Sequence, residues 1–399
     1  MKRTYENEYA GIVLADLHFG ASDPNDLRRE LNENFFKPLK EDRYDFIIIA
    51  GDFWDKKMYL NDRACEIGLW FMKKLTVLSN KIRVIYGTES HEVDQYHIFN
   101  VFGEQTDIDF KVIKTVSEEE LFPGFHVLYL PEEYIQDKNE YYKEYFDKKD
   151  YYDYIFGHGV IAEAMTMIKR TKETKKDGRL KPATFTTADF KKCVKGEVYF
   201  GHYHIHTDIT DWCHYVGSFT RWIHGEEEPK GFFTIAFDYE DKKYSSEFHE
   251  NMDAPTYKTY SFGYKDEIFK SDEEFHGRLI TLSNITKTED EPHVRFIFNI
   301  PEDYPNPEAF MDTIREIFRY SKNVTYEFVN GYVEKKKVTN AKALSEISDK
   351  YDYLFNKNLS VGEVVNSFIK DTNGKDLGGD NVNTYLHTDV MRLINEELS

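Results

Sequence analysis

Cysteine is scarce in this 399-residue chain: Cys65, Cys193 and Cys213 are few, odd in number and far apart. Such a set excludes a disulfide framework and a cysteine-built zinc site, and it suits a reducing compartment. Long apolar runs are missing too. No stretch approaches the roughly 18 residues that a membrane-spanning helix needs. The opening Met-Lys-Arg-Thr-Tyr-Glu-Asn-Glu lacks the apolar segment of a signal peptide, so a cytoplasmic location is expected. Positive charge is also in deficit, with 52 Lys and Arg against 72 Asp and Glu and a net charge of −20. Bulk electrostatics therefore disfavours nucleic acid, because phosphate contacts need clustered Lys and Arg. Bound cations and local basic patches can still supply a positive field. Apolar and aromatic residues are plentiful: 40% of the chain is hydrophobic, with 29 Tyr and 31 Phe, which argues for packed domains.

The stretch Gly11-Ile-Val-Leu-Ala-Asp16-Leu-His18 organises the rest. Its apolar run predicts a buried strand. Period-two geometry puts Asp16 and His18 on one side of the backbone, where a carboxylate and an imidazole suit a metal site. Leu27, Leu31 and Phe35 predict a helix over residues 26–40. A second buried strand over 44–50 runs into Gly51-Asp52-Phe-Trp-Asp55. Asn61 or Asp62 caps a helix carrying Ile67, Trp70, Phe71 and Leu75. A third strand, 82–86, ends in Gly87-Thr-Glu-Ser90-His91-Glu92. Strand–helix–strand alternation favours an α/β layered domain with its site at the strand ends. Later strands are expected at 125–130, 154–156, 197–200, 214–216 and 232–237. Two of them end in Gly157-His158 and in Gly201-His202-Tyr203-His204. His97, His206, His214 and His224 have no such motif around them and are read as ordinary.

In order and spacing these motifs resemble the calcineurin-like metallophosphoesterases. The pattern is Asp-x-His, Gly-Asp-x-x-Asp, Asn-His-Asp/Glu, Gly-His and Gly-His-x-His, and it covers residues 1–255. The long spacings and the segment Val216-Gly-Ser-Phe-Thr-Arg221 through Lys230-Gly231-Phe resemble the SbcD branch, nuclease subunits of SbcCD-type DNA repair complexes, which includes phage recombination nucleases. The resemblance implies a four-layer α-β-β-α metallophosphoesterase sandwich with a small α+β capping domain and C-terminal helices. It implies two metal ions, one on Asp16, His18 and His204 and the other on His158, His202 and the Ser90 position, with Asp52 bridging them. The mixed His and carboxylate donors suit Mn2+, with Mg2+ or Fe2+ as alternatives. His91 is implied as the catalytic histidine, oriented by Glu92, and Asp55 as a turn residue near the ligands. Ser90 is the departure, because the family has Asn there. Ser90, a water or Glu89 would have to fill that place.

Between His158 and His202 lies a basic run with Lys169, Arg170, Lys175, Lys176 and Arg179. It reads either as a solvated loop or as a DNA contact beside the site. Residues 256–331 carry a strand at 293–300, a helix at 307–320 and a strand at 323–329, the expected capping domain. Residues 332–399 show amphipathic stripes, including Leu344, Ile347, Tyr351 and Leu354, which pack on their own domain or on a partner. By resemblance that partner is the coiled-coil base of an SbcC-like ATPase, and a homodimer is expected. The leading expectation is a manganese-dependent DNA nuclease. A phosphatase or small-molecule phosphodiesterase on the same core is the enzyme alternative, and a catalytically weakened scaffold is the other.

Overall fold

The computed structural model describes residues 7–39, 42–93, 95–99, 107–167, 181–262, 277, 280, 283, 293–301, 304, 306–321 and 323–332. The chain divides into two compact units, residues 1–332 and 333–399. The second unit lies outside the described residues, as do the basic residues Lys169, Arg170, Lys175, Lys176 and Arg179. No described helix is long and apolar enough to cross a membrane.

The described chain opens with β1 (Glu8–Leu14), β2 (Phe46–Ala50), β3 (Lys81–Ile85) and β4 (Asp109–Ile113). It continues with β5 (Ser117–Phe122), β6 (Phe125–Leu130), β7 (Tyr134–Ile135), β8 (Tyr152–His158) and β9 (Val160–Ile161). Then come β10 (Lys181–Pro182), β11 (Thr184–Phe185), β12 (Val194–Gly201), β13 (Thr207–Thr210) and β14 (Cys213–Tyr215). The last are β15 (Gly231–Asp238), β16 (Lys243–Glu250), β17 (Tyr257–Phe262), β18 (His293–Pro301) and β19 (Val324–Tyr332). Two six-stranded sheets result, ordered β16-β15-β1-β2-β3-β4 and β13-β14-β12-β8-β6-β5. β1-β2-β3-β4 and β14-β12-β8-β6 run parallel, and antiparallel strands finish every edge but the one at β4. The fold is α/β with parallel-rich sheets.

Alternation along the strands explains the packing. On β1 and β2, Ile12, Leu14, Ile47 and Ile49 join Leu31, Phe35, Phe71 and Leu75 of the helical segments in one core. The intervening Val13, Phe46, Ile48 and Ala50 join Val127, Tyr129, Tyr154, Phe156 and Tyr199 of the second sheet in another. The opposite faces of β6, β8 and β12 contribute Leu128, Leu130, Ile155, Val198 and Phe200 to a third core with Ala164, Phe185 and Phe190. Strands covered on both sides need unbroken apolar runs, and Phe46–Ala50 is buried at every residue. The expected helix over 26–40 is present as Pro24–Glu30 and Lys37–Leu39 around a π segment, Leu31–Phe36, where the Lys37 amide reaches back to the Asn32 carbonyl. Asp62 is the cap residue of the helix Arg63–Leu78. β17, β18 and β19 form a separate parallel sheet, and the helix Pro307–Ile317 packs Phe310, Met311 and Ile314 against Val294, Phe296 and Phe298.

One buried charge ties the two large sheets together. Arg83 on β3 is fully buried. It donates to both carboxylate oxygens of Glu119 on β5 at 2.8 and 2.7 Å and to Asp109 Oδ2 on β4 at 2.8 Å. Burial by itself raises both carboxyls. Arg83, helped by Lys111 at Glu119 and Lys81 at Asp109, outweighs it and brings each down to about 2. Both folded values lie below the ordinary carboxylate range, so this stabilisation is complete above that range and is lost as pH falls toward about 2. Arg83→Leu leaves Glu119 and the part-exposed Asp109 with only Lys111 and Lys81 as cationic partners and is expected to cost about 1–3 kcal/mol in urea unfolding near neutral pH. The gap to the native protein should narrow as the pH drops to about 3. A gap that does not change with pH would mean that the loss comes from packing and not from charge.

Candidate metal centre

The residues singled out at the strand ends converge where the two sheets meet. The parallel pairing of β1 with β2 continues past both strands: the amides of Asp16, His18 and Phe19 donate to the carbonyls of Gly51, Asp52 and Phe53 at 3.2, 3.0 and 2.9 Å. Asp16, His18 and Asp52 are thereby locked side by side. All three, with His202, have positive φ values of 47°, 42°, 48° and 106°. That backbone is strained for residues with a Cβ and persists only where the surroundings over-determine it. Close glycines make the room. At Gly51, itself at φ +84°, a Cβ would stand 2.1 Å from His158 Nδ1, and at Gly87 it would stand 2.3 Å from Asp52 Oδ1. From the second sheet, the His202 amide donates to both Asp16 oxygens, at 2.9 and 3.2 Å.

Among the described residues, four overlapping groups could hold a metal ion, with ligand atoms within 4.8 Å of one another. Asp16, His18 and His204 form one, and Glu132, His158 and His202 form another. Asp52 joins Asp16 and His158 in a third. It stands between the first two, with Oδ2 3.5 Å from His18 Nε2 and 3.3 Å from His158 Nε2. The last group is His18, Asp55 and His91.

Hydrogen bonds fix which ring nitrogens face inward. His158 Nδ1 donates to the Ala50 carbonyl at 2.9 Å, which turns Nε2 toward Asp52. His204 Nδ1 meets Glu226 Oε1 at 2.5 Å, and Glu226 accepts from the buried Lys230 at 3.1 Å. Lys230 also donates to the His204 carbonyl at 2.5 Å. Both ring nitrogens of His18 are buried without a hydrogen-bond partner. Orphaned buried nitrogens are costly unless something else engages them, and a cation among His and carboxylate donors would do so. The donor set therefore fits divalent metal.

The electrostatics agree with that fit. Burial raises Asp16 above the usual carboxylate range, against the pull of His158 and His204. Burial also works to raise Asp52, but His158, His18 and His91 overcome it and hold the carboxyl well below the usual range. Burial lowers His158, yet Asp52, Asp16 and Glu132 raise it to about 10. The pocket thus favours positive charge at a point where three carboxylates meet. His18 goes the other way, lowered by burial and by neighbouring His204 and His91 despite Asp52.

Ser90 and Glu89 are exposed on the short helix Glu89–Glu92. The oxygens beside His158 come from elsewhere. Thr88 puts its hydroxyl 3.5 Å from His158 Nε2 and 3.3 Å from Glu132 Oε2, and its amide donates to Asp52 Oδ1 at 2.7 Å. Glu132 Oε2 stands 3.0 Å from His202 Nδ1. Burial pushes Glu132 up, but neighbouring His202 and His158 bring it below its ordinary value. Sequence reading missed Glu132. Its only signal was an acidic pair, Glu132-Glu133, placed just after β6. His91 is held by the Asp55 carbonyl, 2.5 Å from its Nδ1, while Glu92 is buried and accepts from the Gly87 amide at 3.2 Å. Burial, reinforced by Asp52, raises Glu92 to about 8, which keeps it neutral at pH 7.

No family model and no curated protein matches the chain. Solved structures do match, and among them a crystal structure aligns with 61% of this chain and 100% of its own at 12% identity, with a TM-score of 0.35. A likeness of that size carries no argument.

The geometry makes Glu132, and not Ser90, the oxygen donor to test at the His158 side. In a manganese titration followed by the signal of the free ion, Glu132→Gln should weaken binding by roughly tenfold or more. Ser90→Ala should leave the midpoint in place. The reverse pattern would return Ser90 to the ligand position.

Proposed function

We propose that the chain is a metal-dependent phosphodiesterase acting on DNA, the nuclease subunit of an SbcCD-like repair and recombination assembly. Its frame would be the four-layer α-β-β-α metallophosphoesterase sandwich with an α+β cap, a reading supported by the three cores that each sheet pair and its helices share. The carrying observation is Asp52 Oδ2, which stands between His18 and His158 at 3.5 and 3.3 Å and so between two three-residue groups. A carboxylate in that position lowers the repulsion between two dications. When bound, two divalent ions, with manganese expected, would stabilise charge on phosphoryl oxygens and activate water.

The chain's own residues supply the rest. Asp16, Asp52 and Glu132 fall one charge short of neutralising such a pair, so a phosphodiester anion still meets a positive field inside an acidic protein. Glu226 holds the His204 ring and is itself held by Lys230, and the Ala50 carbonyl holds His158, so neither ring can turn away. His91 packs edge-on against His18 with ring centroids 4.7 Å apart. With Nδ1 held by Asp55, it presents Nε2 to the substrate, where it can donate to the phosphate or to the leaving oxygen. The ATPase partner and a homodimer remain part of the proposal through the resemblance alone, since residues 333–399 lie outside the described ones.

The protein with manganese should hydrolyse double-stranded DNA, single-stranded DNA or both, together with a generic phosphodiester, and should stop on chelation. Two bound ions without any phosphodiester turnover would refute the reading. His91→Ala should keep the metal content and lose about 10²–10⁴-fold in turnover, the usual contribution of a positioned acid. Loss of metal on that change would move His91 into the coordination sphere.

A further inference from the structure

Trp222 is the one tryptophan of four that joins none of the apolar cores. Trp54 lies inside a core, and Trp70 and Trp212 pack against cores. Trp222 instead stands half-buried beside the metal centre, its ring centroid 5.0 Å from His18 and 4.8 Å from His204. The loop that carries it is anchored at both ends by Thr220 and Glu226, each 1% exposed. Arg221 fixes the middle through the carbonyls of Glu228 at 2.6 Å and Ala254 at 3.2 Å. The neighbouring Ile223 is exposed. A large ring held rigidly at the edge of a polar site, outside any core, calls for a flat apolar ligand.

We propose that Trp222 is a base-stacking subsite, which takes a nucleobase one sugar away from the phosphodiester at the metal centre. The identity of the ligand rests on the phosphodiesterase reading above. The substrate class is then nucleic acid whose nucleotide at the site is unstacked, as in a single strand or a frayed end, since a base inside a duplex has both faces covered. Stacking also suits this chain's charge. With a net charge of −20, affinity drawn from phosphate contacts is scarce, whereas every base has a π-face that an indole can use whatever the charge.

The test uses the full chain with manganese and a single-stranded oligonucleotide that carries 2-aminopurine at its end and a phosphorothioate at the terminal linkage. Binding should quench the 2-aminopurine in the native protein and in Trp222→Phe. Trp222→Ala should lose the quenching and bind about tenfold more weakly. That factor should be the same at low and high salt, because stacking releases no counterions. Equal affinity and quenching in Trp222→Ala, in a native protein that hydrolyses phosphodiesters, would overturn the base subsite alone. Quenching by a native protein that hydrolyses no phosphodiester would instead sink the hydrolase reading and leave the subsite standing. No quenching in the native protein, with manganese lost from both variants, would make Trp222 a shield for His18 and His204 and overturn the proposal.

Discussion

The site depends on one continued ladder. Beyond the ends of β1 and β2, three more backbone hydrogen bonds run from Asp16, His18 and Phe19 to Gly51, Asp52 and Phe53. They hold Asp16, His18 and Asp52 in left-handed backbone that side-chain-bearing residues otherwise avoid. Two buried carboxylates, Asp16 and Asp52, are kept close enough to raise one another's cost, and only a rigid frame can hold them so. The frame is apolar: Val13, Ile48, Ala50, Tyr129 and Phe156 lock the two sheets directly beneath the centre.

From that ladder the rest of the centre follows by short steps. His202 enters from the second sheet and reaches Asp16 through its own amide, so the sheets are joined at the ligands as well as in the core. Far from this junction, Arg83 makes a second tie through Glu119. Small residues are required wherever the two ligand layers touch. Gly201, for example, would bring a Cβ within 2.2 Å of the Ala50 carbonyl, the same oxygen that orients His158. Geometry and tautomer are thus set by one close approach.

Much of this was legible in the sequence because strands buried on both faces leave an unmistakable apolar run, and because a Gly-flanked Asp or His at the end of each run has few other uses. The expected strands around Val13, Ile48, Val84, Val127, Ile155 and Tyr199 are all strands in the fold. Edge strands such as β4, β5 and β16 were not legible. They are partly exposed and carry charged residues, as in Ser117–Phe122 with three glutamates, so their pattern is weak. At the site, the limit was sequence distance. Ser90 was attractive because it precedes His91, but the chain turns helical at Glu89 and carries Ser90 to the surface, while Thr88 stays behind against Asp52. Glu132 comes from the loop after β6, in the other sheet, and has no local motif to announce it. Glu226 and Lys230 were visible only as a turn, and their contact with His204 required the fold.

The buried polar groups also say what state the fold is built for. In the bare chain, His18 has two orphaned nitrogens, Asp16 is pushed up by burial, and His158 is held protonated to about 10 by the carboxylates around it. The orphaned nitrogens and the buried Asp16 are costs that the apolar cores must offset, whereas protonated His158 already supplies the carboxylates with one positive charge. Further positive charge among the carboxylates would relieve both costs. Any cation that binds only the folded chain adds to stability in proportion to the logarithm of its concentration over its dissociation constant. The ladder fixes where Asp16, His18 and Asp52 stand, and their grouping with His158 and His204 is one that could take up such a charge.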